Sequence, residues 1–217
     1  MSQVTHHQKV QLLVQFSMLL AIEALMCFVP WLGSIPLGPI TATLAMIPVV
    51  ITGILLGPGL GSLMGLFAGF FSFIIWTFMT PNPAMAFCFT PFYSLGPAQG
   101  NGWSLVICFV PRILVGTVAG LCFQLFNKLL AKAKARSVIS SFIGGFLGSM
   151  VNTVGVVLGM YFFFGWAYIS ILETTEALVF GALWAAIGPA GLAEAIIAGI
   201  ASMAVCPPIR RFVLKKA

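Results

Sequence analysis

Apolar positions gather into six runs, parted by Pro/Gly turns, by a long polar-aromatic stretch and by a basic link. Run 1 covers about 10–30 and holds Glu23. Run 2, about 40–56, follows the turn-rich WLGSIPLGP and carries Pro48 as an expected kink. Run 3, about 60–79, begins after the tight turn Gly57-Pro58-Gly59. A loop over 80–103 follows, with four prolines and with Asn82, Thr90, Tyr93, Gln99 and Asn101. Run 4, 104–128, contains Arg112. The link 128–136 leads to run 5, about 138–164, which includes Asn152, and run 6 is about 189–206, ended by Pro207-Pro208. About 20 apolar residues span roughly 30 Å of hydrocarbon as a helix. The pattern predicts an all-α membrane protein, a compact bundle of six transmembrane helices in one domain covering 1–217.

Segment 171–187 is apolar but short, and it holds Glu173 and Glu176. Charge placement decides its reading, because cations collect on the cytoplasmic side of membrane proteins. With six spans, Lys9, the cations of 128–136, Arg210, Arg211, Lys215 and Lys216 share one side, which is nine of the ten Lys and Arg residues. Both termini are then cytoplasmic, and 171–187 is expected as a helix on the outer surface. The first run has no small-x-small cleavage pattern before further apolar segments, so it reads as a retained span rather than a signal peptide.

Composition sharpens this. The chain is 60% hydrophobic and 6% charged, far below the quarter charged that soluble domains carry. Its net charge of +6 lies at the ends of apolar runs, not on a face with stacking aromatics, which argues against nucleic-acid binding. Five cysteines show no metal-type spacing and read as small apolar fillers. GPGLGSLMG lacks the Lys-[Ser/Thr] of a phosphate loop. With no Asp, and His6 and His7 both in the N-terminal tail, no catalytic constellation, cofactor site or metal site is encoded. An enzyme is not expected.

Arg112 is the residue around which function gathers. A cation inside a span costs several kcal/mol and is normally paired or faces a cavity. At 1.5 Å per residue it falls roughly 10–12 Å below the outer boundary, with Glu23 at roughly 10 Å and Glu194 at roughly 8 Å. Asn152 lies lower, near the middle of its span. Above them Trp76, Asn82, Phe89, Tyr93 and Trp103 cluster around the long loop, with Tyr161 and Trp166 opposite. Two readings stand: an internal ion pair of Arg112 with Glu194 or Glu23, or a site in which Arg112 also meets a ligand anion. The aromatics also suit plain interfacial anchors. Small residues recur every four positions at Gly53, Gly57, Gly61, Gly65 and Gly69, at Gly116 and Gly120, and at Gly144 and Gly148, which allows close helix packing in lipid. Ser17 and Ala21 form a similar pair that is open to a partner protein.

The segments GPITATLAMIPVVITGILLGPGLGSLMGLFAGFFSF, FCFTPFY, NGWSLVICFVPRILVGTVAG and GPAGLAEAIIAGI, on six runs, resemble the substrate-binding S components of energy-coupling factor (ECF) vitamin transporters over nearly the whole chain. The similarity is greatest to pantothenate-specific members, with cobalamin-specific ones as relatives. The resemblance implies a plasma-membrane protein that captures a vitamin outside. It would release its cargo inward by toppling against a transmembrane coupling protein that works with two cytoplasmic ATPases. In the family the site lies at the outer end, between the tips of helices 4 to 6 and the loops after helices 1, 3 and 5. Arg112, Asn152, Trp76, Asn82, Tyr93, Glu194, Glu23 and Trp166 are the residues expected there. The family's span 1 pair is usually Ala-x-x-x-Ala and faces the coupling protein; here it is Ser17-x-x-x-Ala21. A stand-alone channel or facilitator is the rival, disfavoured by the lack of a second polar row through the inner half.

Overall fold

The computed structural model describes residues 6–37, 40–96, 98–173 and 175–212. The expected positions of Lys215 and Lys216, the first five residues and Gly38-Pro39 of the first link lie outside them. Helix α1 (His6–Phe28) leads into the one-turn α2 (Pro30–Gly33) and an antiparallel hairpin of β1 (Ser34–Leu37) and β2 (Ile40–Thr43). Next come α3 (Met46–Leu56) and α4 (Pro58–Phe78). The long loop contains the one-turn α5 (Pro83–Ala86) and a two-residue pairing of β3 (Ser94–Leu95) with β4 (Ala98–Gln99). Helices α6 (Gly102–Leu129), α7 (Arg136–Leu172) and α8 (Glu176–Phe212) complete the described chain.

Five helices, α1, α4, α6, α7 and α8, are long and apolar enough to cross a bilayer. The second run departs from its expectation. Only Met46–Leu56 is helical, 11 residues or about 16 Å, and Ile40–Thr43 is a strand. The β-branched run Ile40-Thr41-Ala42-Thr43 favours that extended form, and Pro48 falls in the first turn of α3, where it breaks no hydrogen bond and makes no kink.

The last third also differs. Residues 171–187 do not form a separate surface helix: 171–172 end α7, and 176–187 are the first turns of α8. Glu173 turns the chain between the two in a left-handed conformation, φ 47°. Each helix has 37 residues, about 55 Å, well beyond the hydrocarbon thickness. Pro207-Pro208 does not stop α8, which runs on to Phe212. Tandem prolines remove two backbone donors but keep helical φ, and the turn beyond is tied to α3 through Arg210.

Helix α3 touches α1, α4, α6, α7 and α8, while α6 lies between α4 and α7. The glycine rows set these approaches. A Cβ on Gly61 would meet the Gly116 carbonyl, one on Gly120 the Gly53 carbonyl, and one on Gly65 the carbonyl of Arg112. Without them α3 and α4 could not lie backbone to backbone on α6. One apolar cluster gathers α1, α3, α4 and α6 around Val49, Val50, Met64 and Val115. A second joins the long loop to α6, α7 and α8 through Phe87, Ile107, Met160 and Phe164.

Candidate functional site

Pro111, inside α6, has no N–H to give the carbonyl four residues back. That carbonyl is Ile107, and Arg112 takes it with Nη1 at 3.0 Å. The same guanidinium lies 5.1 Å from the Phe89 ring centroid, a cation–π distance. Phe89 in turn stacks on Trp76, 4.6 Å between centroids and 19° between planes. A helix-breaking residue and a loop aromatic thus fix the direction of a cation that is only 7% exposed.

Neither expected ion pair forms. Glu194 accepts from the backbone N–H of Thr43 at 2.8 Å and from its hydroxyl at 3.0 Å. Glu23 is fully buried and accepts from the Cys27 thiol through Oε1 at 3.4 Å. Arg112 acts electrostatically on Glu194 and on Cys27 without bonding either carboxylate. Nε of Arg112, Oε2 of Glu23 and Oδ1 of Asn152 are all buried with no hydrogen-bond partner. Asn152 lies on α7 between Gly148, packed on Val115 and Ala119, and Gly155, packed on Pro111, which puts it at the depth of Arg112. Each unfilled buried group costs about 1–3 kcal/mol, more when charged. Each of the three calls for an explanation, as buried polar groups ordinarily find a partner.

The remaining expected residues fare differently. Tyr93 is half-buried and packs on the loop's apolar cluster. Asn82 is exposed and caps α5, accepting from the Ala84 N–H at 3.1 Å. Trp166 is 53% exposed on α7. Ser17 and Ala21 lie on the outward face of α1 beside exposed Leu13, Val14, Met18 and Ile22. Trp103 stacks on Phe163 at 4.3 Å.

Sequence reasoning missed three participants. Thr43 meets Glu194 across 151 residues of chain, and no local pattern signals that. Cys27 lies one turn from Glu23, a spacing that could have suggested the contact. Tyr168 donates to the Ala84 carbonyl at 3.3 Å and lies 3.5 Å from the Cys88 sulfur, pinning the long loop to α7. Toward the end of the bundle that holds the 129–136 link, the hydroxyls of Ser140, Ser141 and Ser202 are also buried without partners. A cavity of about 600 Å³ between α6 and α7 is lined by apolar residues such as Val110, Leu114, Val151 and Leu158, and not by Arg112.

A family model for the substrate-specific component of ECF transporters matches residues 11–206. The chain belongs to that family. It is similar to "Pantothenic acid transporter PanT" of Lactococcus lactis subsp. cremoris, 32% identical over 174 residues, 80% of each chain. It is also similar to "Pantothenate transporter PanT" of Leuconostoc mesenteroides subsp. mesenteroides, 34% identical over 159 residues, 70% of this chain and 69% of that one. As the substrate-specific component of an ECF transporter with several helices long and apolar enough to span, it is a multi-pass membrane protein.

Proposed function

We propose that this S component binds pantothenate through Arg112 and passes it inward with a transmembrane coupling protein and two cytoplasmic ATPase subunits. The observation that carries this is the unfilled hydrogen-bonding capacity around a buried, rigidly aimed guanidinium. Pantothenate offers one carboxylate, two hydroxyls and an amide. The planar fork of arginine suits the carboxylate, Glu23 Oε2 and Asn152 Oδ1 suit the hydroxyl and amide donors, and Trp76 with Phe89 walls the pocket. Glu194, held by Thr43, lies within electrostatic range of the guanidinium. The names of the two relatives point to the same vitamin.

In this reading α3 and its preceding hairpin together make the sixth crossing. The hairpin, the loop over 80–101 and the α7–α8 turn lie at the outer end. Both termini, the Gly57 turn and the 129–136 link lie in the cytoplasm, in accord with the positive-inside distribution. Ser17 and Ala21, exposed on α1, are the close-approach point for the coupling protein.

The test uses the ligand. Tryptophan-fluorescence titration of the purified protein should show tight pantothenate binding. Pantothenol, with a hydroxyl in place of the carboxylate, should bind poorly and should lose much less when Arg112 is replaced. Equal binding of the two by the unmodified protein would make Arg112 a purely structural residue.

A further inference from the structure

At the other end of the bundle a second arginine is held in the same manner. Arg210 donates from Nη1 to the Ile54 carbonyl at 3.2 Å, a carbonyl of the last turn of α3, which ends at Leu56 and leaves it without a helical donor. Its guanidinium lies 4.7 Å from the Phe123 ring centroid. Ile54 and the ring take only part of an arginine's five donors. Beside it a notch of about 350 Å³ is lined by Lys128, Gln124 and Asn127 over a floor that includes Phe123 and Gly57. Two cations and two amides therefore face one small space.

The chain's four acidic residues lie elsewhere: Glu23 and Glu194 near Arg112, Glu173 and Glu176 where α7 passes into α8. Among the described residues, this end holds no carboxylate to answer Lys128 and Arg210. Both stand at the last residues of bilayer-length helices, Gly102–Leu129 and Leu178–Arg211, the level where hydrocarbon gives way to headgroups. Exposed Leu125 and Leu129 flank the notch on α6.

We infer that this notch binds the phosphate of an anionic phospholipid in the leaflet at the 128–136 end, with Lys128 and Arg210 on the phosphate and Gln124 and Asn127 on its ester and glycerol oxygens. Basic pockets between helices at the membrane surface suit such headgroups, each cation being worth about fivefold in affinity. Such a lipid would link α3, α6 and α8, and its site is separate from the vitamin site.

Native mass spectrometry of the detergent-solubilised protein, titrated with phosphatidylglycerol, tests this. A Lys128→Gln/Arg210→Gln double variant should hold its first lipid about 30-fold more weakly. Because Arg210 also ties α8 to α3, Lys128→Gln is measured alone and should lose about fivefold. Lys132→Gln and Arg211→Gln, cations of the same end outside the notch, should change retention less than about twofold. Equal losses in those two, or phosphatidylcholine held as firmly as phosphatidylglycerol, would overturn the site. Displacement of the lipid by millimolar inorganic phosphate would overturn the lipid assignment in favour of a soluble anion.

Discussion

Arg112 and Arg210 are built from the same parts. Each guanidinium donates to a carbonyl four residues before a proline, Ile107 before Pro111 and Ile54 before Pro58, and each lies against a phenylalanine ring, Phe89 or Phe123. Their surroundings differ. Arg112 is buried within electrostatic range of Glu194 and Cys27, and its Nε has no hydrogen-bond partner. Arg210 opens on a notch with another cation, two amides and, among the described residues, no acid. A carbonyl without a helical donor, left by Pro111 inside α6 or by the end of α3 at Leu56, aims an arginine in each case, and the neighbours decide whether the cation faces buried polar atoms or a basic notch.

The largest effect that would separate the two arginines is on ligand binding. Removing one partner of a desolvated, hydrogen-bonded charge pair costs about 2–5 kcal/mol, so Arg112→Ala should weaken pantothenate binding roughly 30-fold to several thousand-fold. Arg112→Lys should recover only part, since an ammonium lacks the planar fork. Arg210→Ala should leave the affinity of the isolated protein within about threefold, a gap below 1 kcal/mol. Comparable losses in titrations of both would abolish the distinction.

A middle-sized effect sharpens it through packing. Gly65→Ala sets a methyl against the Arg112 carbonyl, and Gly120→Ala sets one against Gly53 and Pro58 near the Arg210 end. Each should destabilise by about 1–3 kcal/mol in thermal unfolding, the usual cost of overpacking. Only Gly65→Ala should also lower vitamin affinity, because it displaces the segment of α6 that carries the cation. Parallel affinity losses in both would mean that ligand binding follows general stability.

The smallest effect tests the proline itself. Pro111→Ala returns a helical N–H to the Ile107 carbonyl, in competition with Arg112. A single hydrogen bond contributes about 0.5–1.5 kcal/mol, so pantothenate affinity should fall about two- to tenfold while the protein stays folded by circular dichroism. Unchanged affinity would show that Phe89 alone suffices to aim the guanidinium.

Much of this was legible in the chain. Apolar runs longer than a bilayer is thick fold as helices whatever surrounds them, because lipid leaves no other way to satisfy the backbone. Five of the six expected runs are therefore long helices, and the glycine rows marked the faces where α3 and α4 meet α6. Arg112 stood out for the same reason, as a cation whose burial requires an explanation. Tertiary contact decided the rest. Residues 40–43 became a strand through pairing with 34–37, and α8 passed through Pro189 and Pro207-Pro208 by packing against α7 and anchoring Arg210 on Ile54. Glu194 went to Thr43 instead of Arg112, since a carboxylate takes whichever donors the fold delivers, and those lay 151 residues away. Asn82 caps α5 and Trp166 is exposed on α7, placements that depend on local capping and on helix packing. Sequence determined which groups must be buried in a membrane, because burial follows from transfer energy along the chain. Only the folded structure decided which of those groups were left unfilled, because that depends on distances between segments that no local pattern encodes.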